Sequence, residues 1–268
     1  NLAARLQGLA SPGDVVISQD TQKLVAGIFD CQDLGIQNLK GITPPINAWR
    51  VRGERQTESR FDAQHGAGLT EFVGRGDEVE LLLRRWERTK SGEGQVVLIS
   101  GEPGIGKSRL TQHVRDRLAN EPHTRLRYQC SPHHTNSALY PVVSQLSFAA
   151  GIAAEEAPSA KLDKLEALLT RGSTDLEPIS PLFADLLSIP YSGRYPALDL
   201  TPQVQKVRTL EALKDQLLGL ASQQPVYMVF EDLHWSDPTT QELLDLLVDK
   251  IQYAPVLALV TFRPEYQP

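Results

Sequence analysis

The stretch GEPGIGKS at residues 101–108 restricts the fold of this chain more than any other feature. It follows the apolar run GQVVLIS, and a helix-forming sequence begins at Lys107. Gly101, Gly106, Lys107 and Ser108 occupy the positions that the phosphate-binding loop pattern requires. Glycines let a loop turn its N–H groups towards a phosphate, and the positive end of the following helix attracts the same anion. The stretch therefore predicts a phosphate-binding loop within an α/β fold.

The loop residues have separate expected roles. The Lys107 side chain would reach the β- and γ-phosphates of ATP, and the Ser108 hydroxyl would coordinate Mg²⁺. A simple glycine turn between a strand and a helix is the alternative, and the order of the flanking elements disfavours it. The expected nucleotide-binding residues of this stretch are Gly101, Glu102, Pro103, Gly104, Ile105, Gly106, Lys107, Ser108 and Arg109.

An acidic pair ends the apolar run YMVFED. Glu231 and Asp232 would lie at the carboxyl end of a buried strand, where open α/β sheets bind their ligands. One carboxylate would join Ser108 in holding the metal, and the other would orient an attacking water. A solvated acidic loop is the alternative. His234, Trp235 and Asp237 follow directly, either to sense the nucleotide or to pack the loop onto the next helix.

Two further segments are candidates for contact with the nucleotide. In ALVTFRPE, Thr261 and Arg263 come at the end of an apolar strand, so we expect both to face the γ-phosphate. Upstream, FVGRGDE offers Val73, Gly74 and Arg75 as a loop that contacts the adenine.

Strand-like and helix-like segments alternate over residues 71–268. The strand-like runs are GQVVLIS, RLRYQC, PVYMVFE and APVLALVTF, and we expect GQVVLIS to be buried on both faces. This order predicts a doubly wound α/β domain. The expected helices are Lys107–Leu118, Leu139–Ala150, Lys161–Leu169, Pro202–Leu220 and Thr239–Ile251.

The first 52 residues read as a separate small α+β domain. A helix at NLAARLQ, a strand in SPGDVVIS and a helix over Gln19–Val25 precede two extended pieces around a Pro-Pro turn. This hairpin should end near Val51. Residues 53–70 are mostly polar and lack periodicity, so we interpret them as a linker to a second domain at 71–268.

Charge and cysteine content narrow the function. A net charge of -6 argues against a general nucleic-acid or membrane-surface binder. The chain has two cysteines and no apolar run of membrane-spanning length, so we expect a reduced, cytoplasmic protein. Because the chain starts without Met and ends directly after a strand-like run, we expect it to be a piece of a longer polypeptide.

For two sets of polar residues, the sequence favours ordinary structural roles. Cys130, His133 and His134 lack the second ligand pair of a structural zinc site, so a loop at the end of a strand is favoured. Arg125 and Arg127 alternate along a strand, which favours a solvated face over contact with nucleic acid.

The stretches FVGR, GEPGIGKSRL, CSPHHTNSALYPV, FEDLHWSDP and TFRPEY together resemble the STAND-type AAA+ ATPase module found behind class III adenylate/guanylate cyclase domains in bacterial signalling proteins. The resemblance covers residues 72–268 and implies a P-loop NTPase core whose lid and fifth strand would follow residue 268. AAA+ proteins usually have Asp before Glu at the acidic pair. The reversed order here leaves open which of Glu231 and Asp232 holds the metal and which orients water.

The stretches NLAARLQ, SPGDVVIS and LKGITPPINAWRV resemble the C-terminal end of the cyclase domain itself. The resemblance implies that Asn1 and Arg5 stabilise the pentavalent phosphate transition state. Their spacing of four also suits an ordinary helix end with a polar face. The cyclase metal-binding aspartates and purine-selecting residues would lie upstream, so this chain should not cyclise a nucleotide by itself.

The resemblance thus implies a cyclase remnant joined to an ATPase switch that gates cyclic nucleotide synthesis in the intact protein. A STAND-type transcriptional regulator with a DNA-binding domain beyond residue 268 is the alternative, and a scaffold that binds ATP without turnover is a third. The expected partners are ATP, the cyclase domain and C-terminal domains of the same protein, and a possible second copy of the chain.

Overall fold

The computed structural model describes residues 1–25, 29–54, 72–153 and 155–267. The chain divides into two compact units, Asn1–Glu71 and Phe72–Pro268, each with its own β-sheet. Among the helices of these described ranges, none combines the length and the apolar character that crossing a bilayer requires.

The first unit is a three-stranded antiparallel sheet with two helices. Its elements are α1 (Leu2–Gln7), β1 (Val15–Ser18), α2 (Gln19–Val25), β2 (Phe29–Gln37) and β3 (Ile46–Glu54), and the strand order is β1-β3-β2. Trp49 of β3 connects the sheet to α2, because its indole N–H donates a hydrogen bond to Gln19 Oε1 over 2.9 Å. The predicted strand, helices and hairpin are confirmed.

The hairpin is longer than its sequence indicated. Gly53 pairs with Asp30 and Glu54 with Phe29, so β3 continues into residues that we assigned to the linker. The ladder extends because the backbone of β2 supplies partners at both positions, although Gly53 has no side chain to mark a strand. The rest of the predicted linker, residues 55–70, lies outside the described residues.

The second unit is a doubly wound α/β domain with a four-stranded parallel sheet. The strand order is β4-β7-β6-β5, so the last strand lies between the first and the third. Its elements are α3 (Gly76–Lys90), β4 (Gln95–Ser100), α4 (Lys107–Leu118), β5 (Thr124–Gln129), α5 (Tyr140–Ala150), α6 (Pro158–Leu169), α7 (Ser180–Leu186), α8 (Pro202–Gln223), β6 (Val226–Glu231), a 3₁₀ turn (Leu233–Trp235), α9 (Pro238–Ile251) and β7 (Val256–Phe262).

Helices cover both faces of the central strands. Val226, Met228 and Phe230 of β6 point into a core shared with α5 to α9. The alternate residues Tyr227 and Val229 point into a second core with α3 and α4. Successive side chains of a strand face opposite sides, so the apolar residues of β6 contribute to both cores, in agreement with the buried strand that we expected before Glu231.

The prediction that GQVVLIS is buried on both faces is wrong. β4 is an edge strand, and Val96 and Leu98 are 37% and 55% exposed. Val97 and Ile99 pack against the core that contains α3 and α4, so only one face of β4 is covered. An apolar run by itself does not distinguish a central strand from such an edge.

Helix α7 was not predicted, and several helix ends differ from their expected positions. Leu139, expected as the first residue of α5, instead has a φ of 55° ahead of the helix. Helix α6 begins three residues early, at Pro158, because proline suits the first turn, where its missing N–H costs nothing. Helix α8 continues to Gln223, beyond the expected Leu220.

Candidate functional site

The loop between β4 and α4 has the backbone that its glycines predicted. Gly104 and Gly106 have φ values of 79° and 98°, a region that suits glycine, and an added Cβ at either would meet open space. Gly106 is the N-cap of α4 and offers no side-chain capping bond. The first N–H groups of a helix have no intrahelical partners, so this helix start is suited to receive an anion.

Lys107 is folded back onto this loop. Its side chain is 8% exposed, and Nζ donates to the carbonyl oxygens of Gly101, over 2.5 Å, and Glu102, over 3.1 Å. Arg75 reaches the same loop, because its guanidinium donates to the carbonyl oxygen of Ile105 over 2.7 Å. Two cationic side chains therefore lie against the loop, and Arg75 comes from a segment for which an adenine contact was expected.

The other residues expected at the nucleotide are placed as follows. Val73 is 78% exposed, and Gly74 has a φ of 84° just ahead of α3. Ser108 is in the first turn of α4, and Arg109 follows it. Glu102, Pro103 and Ile105 are loop residues whose side chains are at least partly open to solvent.

The strand order brings three predicted segments to one edge of the sheet. The strands are parallel, so the phosphate loop after β4, the acidic pair at the end of β6 and the Thr261–Arg263 segment at the end of β7 all lie at the carboxyl edge. Ligands of open α/β sheets bind at this edge.

Glu231 forms a buried ion pair with Arg127 of β5. Arg127 Nε donates to Glu231 Oε1 over 3.1 Å, and Nη2 donates to Oε2. The Arg127 and Glu231 side chains are 11% and 5% exposed. Arg127 therefore does not belong to the solvated face that we predicted, because β5 neighbours β6 and presents the guanidinium to the carboxylate. Both Glu231 oxygens are engaged within the protein.

Asp232 follows in a left-handed backbone conformation, with a φ of 56°. Its backbone N–H donates to the Thr261 hydroxyl over 3.1 Å, and Thr261 is 1% exposed. The Thr261 hydroxyl, which we expected to face the γ-phosphate, accepts a hydrogen bond that fixes the acidic turn, and its contact with a phosphate stays a prediction. β7 thereby holds the backbone that carries Asp232.

The residues after the acidic pair pack around Arg263. The Arg263 guanidinium lies 4.9 Å from the centroid of the Trp235 ring, a cation–π distance, and 3.9 Å from a Glu265 oxygen. The His234 ring lies 4.4 Å from the Trp235 ring. Burial lowers the pKa of His234, and the cations Arg263 and Lys107 lower it further, while Glu265 opposes them. The ends of β4, β6 and β7 are thus close enough for their charges to interact.

Asp237 has a local structural role. Its Oδ1 accepts from the backbone N–H groups of Thr239 and Thr240, each over 3.0 Å, so it caps α9. Of the two roles left open for Asp237, packing the loop onto the next helix is the one that these contacts support.

Cys130, His133 and His134 lie in the loop that follows β5, with Cys130 buried and His133 exposed. Cys130 is 1% exposed, and its N–H donates to the Glu231 carbonyl over 3.0 Å. Burial, with the nearby carboxylates, raises the pKa of its thiol to about 12. The His134 ring stacks on Tyr140 at 3.6 Å.

In the first unit, Asn1 is the N-cap of α1. Its Oδ1 accepts from the Ala3 N–H over 3.0 Å, while Arg5 is exposed in the last turn of the same helix. The local geometry therefore accounts for Asn1 as a capping residue, and Arg5 points to solvent.

The residues at the carboxyl edge fit a nucleotide with Mg²⁺. The loop backbone is open at Gly104 and Gly106, as an approaching phosphate requires. The Ser108 hydroxyl and the carboxylates of Glu231 and Asp232 are the oxygen ligands that Mg²⁺ prefers. Glu231 would have to share its oxygens between the metal and Arg127.

Comparison with known proteins identifies a family that this chain matches and a related protein. The family described as "AAA ATPase domain" matches residues 71–260. An uncharacterized protein of Rhizobium meliloti (strain 1021) is 32% identical over 266 residues, which is 99% of this chain and 25% of the relative. This chain therefore spans a quarter of the length of that relative. The family match includes the phosphate loop and the acidic pair and stops ahead of Arg263.

Proposed function

This chain belongs to the AAA ATPase domain family, an ATP-binding P-loop ATPase class, and from that premise we propose that its second unit binds ATP with Mg²⁺ and hydrolyses it as a molecular switch. The observation that carries the proposal is the positive-φ loop at Gly104 and Gly106, which opens α4 beside a buried lysine. The acidic pair lies at the same edge of the sheet.

Each site residue then has a defined task. The loop N–H groups and Lys107 bind the phosphates, with Lys107 exchanging its two carbonyl partners for phosphate oxygens. When bound, Mg²⁺ supplies positive charge that neutralises the phosphate oxygens. Glu231 lies on the sheet face that packs against α4, which carries Ser108, and this supports its role in holding the metal. Asp232, on its fixed backbone turn, orients the attacking water.

Amide substitutions test the acidic pair. We expect Glu231→Gln and Asp232→Asn each to lower ATP turnover by about tenfold, the effect of about 1.4 kcal/mol at the transition state, and to lower ATP affinity less. Steady-state phosphate release and ATP titration measure the two quantities. Glu211→Gln, on the exposed surface of α8, is the matched control. Parental turnover in both amide variants, with folding confirmed by circular dichroism, would make this assignment wrong.

Arg263 is proposed to contact the γ-phosphate. Its side chain is 31% exposed, so the contact is screened and worth about 1 kcal/mol. Arg263→Ala should therefore reduce the preference for ATP over ADP about fivefold, and Arg263→Lys should retain most of it. Titrations with both nucleotides give the ratio. An unchanged ratio in Arg263→Ala would leave Arg263 with only its packing on Trp235.

We also propose that the first unit is the end of a cyclase domain and that the ATPase gates its output in a longer protein. The sequence resemblance of residues 1–52 supports this. The proposed protein is cytoplasmic, and its partners are the domains of its own chain or a second copy.

Activity of the full-length protein tests the cyclase proposal. We expect residues 1–268 alone to make no cyclic nucleotide, and Asn1→Ala or Arg5→Ala to remove most of the activity of the full-length protein. Asn1→Ser keeps the helix cap, so it separates capping from catalysis: it should lose activity as Asn1→Ala does. Normal cyclisation by the full-length Arg5→Ala variant would contradict the proposal.

The second candidate is a STAND-type transcriptional regulator, with which the stretch LHWSD is equally compatible. Its function would depend on a DNA-binding domain after residue 268. Sequence-specific DNA binding by the full-length protein, without cyclic nucleotide synthesis, would select it. ATP binding without phosphate release would select a nucleotide-binding scaffold instead.

A further inference from the structure

A short turn directly after the acidic pair carries an aromatic residue, Trp235. It is the last residue of the 3₁₀ turn, and its backbone N–H donates to the Asp232 carbonyl over 2.9 Å. The Trp235 side chain is half-buried and packs against the core shared by α5 to α9. An indole has only two rotatable side-chain bonds, so packing on one side largely fixes its orientation. Trp235 therefore presents a rigid ring beside the acidic turn.

The Arg263 guanidinium lies over this ring. Its central carbon, Cζ, is 4.9 Å from the ring centroid, which is within the range of a cation–π contact. A Glu265 oxygen lies 3.9 Å from the guanidinium, which is longer than a hydrogen bond. A guanidinium carries five N–H donors, so contact with the ring leaves Arg263 able to bind an anion.

The backbone on both sides of this contact is fixed. The Asp232 N–H donates to the Thr261 hydroxyl over 3.1 Å, which joins the acidic turn to the end of β7. Beyond β7, the Tyr266 N–H donates to the Arg263 carbonyl over 3.0 Å, and the Tyr266 ring lies edge-on to the Phe262 ring at 5.8 Å. With the backbone held in this way, the position of the guanidinium depends on the contacts of its own side chain.

His234 lies beside Trp235 but does not supply a competing cation. The two rings are 4.4 Å apart. Burial lowers the pKa of His234 below its ordinary value of 6.5, and the charges of Arg263 and Lys107 lower it further, while Glu265 opposes them. His234 is therefore neutral at pH 7, and Arg263 is the charged partner of the Trp235 ring.

We propose that Trp235 is a positioning residue that holds the Arg263 guanidinium at the carboxyl edge for contact with the γ-phosphate of ATP. Trp235 has this task only if the second unit binds ATP as proposed above. The Arg263 side chain is 31% exposed, so without the ring it would sample other rotamers, and ATP would have to order it on binding. Trp235 thereby contributes to the preference for ATP over ADP, because ADP has no γ-phosphate.

Two substitutions separate the aromatic ring from its apolar volume. Trp235→Phe keeps an aromatic face, whereas Trp235→Leu keeps only an apolar side chain. We expect Trp235→Leu to reduce the ratio of ATP to ADP affinity about threefold, as for one lost cation–π contact, and Trp235→Phe to retain most of it. Isothermal titration of the 268-residue chain with each nucleotide and Mg²⁺ gives the ratios. Tyr253→Leu removes a ring that is 80% exposed after α9 and should keep the parental ratio.

A double-mutant cycle tests whether Trp235 acts through Arg263. Arg263→Ala should reduce the ratio about fivefold, and adding Trp235→Leu should reduce it no further. Additive losses would overturn the inference, as would a parental ratio in Trp235→Leu while Arg263→Ala lowers it, and both results leave the ATP-binding proposal intact. A parent chain that binds no ATP would instead overturn the proposed function, and the role of Trp235 with it.

Tryptophan fluorescence provides a test that does not need Trp235→Leu. The γ-phosphate offsets the charge over the ring, so saturating ATP should change the emission of the parent more than saturating ADP does. This difference should be absent in Trp235→Phe and in Arg263→Ala, and Trp49 and Trp86 are present in all three proteins. The same emission with ATP and with ADP in the parent would overturn the inference, even if Trp235→Leu failed to fold.

Discussion

Replacing Arg127 with methionine is expected to lower the free energy of unfolding of the second unit by about 3–5 kcal/mol. The Glu231 carboxylate is 5% exposed, and Arg127 contacts both of its oxygens. Removing the guanidinium leaves a buried charge without its counterion, and the cost of that desolvated charge exceeds the modest net value of the pair itself. Urea unfolding followed by far-UV circular dichroism measures the change.

Two further variants isolate the cause of this loss. Arg127→Met combined with Glu231→Leu removes both charges and should recover most of the stability, because a well-packed apolar pair can replace a buried ion pair. Arg84→Ala breaks an ion pair with Glu80 in which the two side chains are 66% and 72% exposed. This substitution should change the free energy of unfolding by about 0.5 kcal/mol or less. If Arg127→Met were no more destabilising than Arg84→Ala, the buried pair would have no structural importance.

Lys107→Ala is expected to weaken ATP binding about ten- to a hundredfold. The substitution removes the proposed charge-assisted contact with the phosphates, for which we expect about 1.5–3 kcal/mol. Lys107→Met keeps the apolar stem, which is almost fully buried, and should show the same loss. Isothermal titration with ATP and Mg²⁺ measures it.

The exposed Lys250 of α9 provides the control, because Lys250→Ala removes the same charge far along the chain from the loop. Its affinity for ATP should match that of the parent. Equal affinities in the parent and both Lys107 variants would show that the loop does not bind the phosphates through this side chain.

Local sequence patterns predicted most of the elements of the fold. The glycines predicted a loop between a strand and a helix, which Gly104 and Gly106 form, and the apolar run before Glu231 predicted a buried strand, which β6 is. These features depend on the conformational range of one residue or on alternation along one strand. Whether a strand lies at the edge of its sheet depends on the strand order instead. For this reason Val96 and Leu98 were predicted to be buried, although they are exposed.

The contacts of the candidate site were less predictable than its residues. Glu231 and Arg127 are 104 residues apart, and only the pairing of β5 with β6 brings them together. Charged residues at alternate positions of a strand are compatible either with a solvated face or with an ion pair to a buried partner. The bond from Asp232 to Thr261 likewise depends on β7 lying beside β6. Such long-range contacts follow from topology, which the local patterns do not encode.

The position of β7 between β4 and β6 sets a fixed width at the carboxyl edge. Two inter-strand spacings of about 4.8 Å separate the strand that leads into the phosphate loop from the strand that ends in the acidic pair. The intervening strand acts as a spacer of about 10 Å, and the backbone ladders on its two sides resist any change in that width. Arg263 directly follows β7, so its backbone leaves the sheet between the strand that leads into the loop and the strand that ends in the acidic pair.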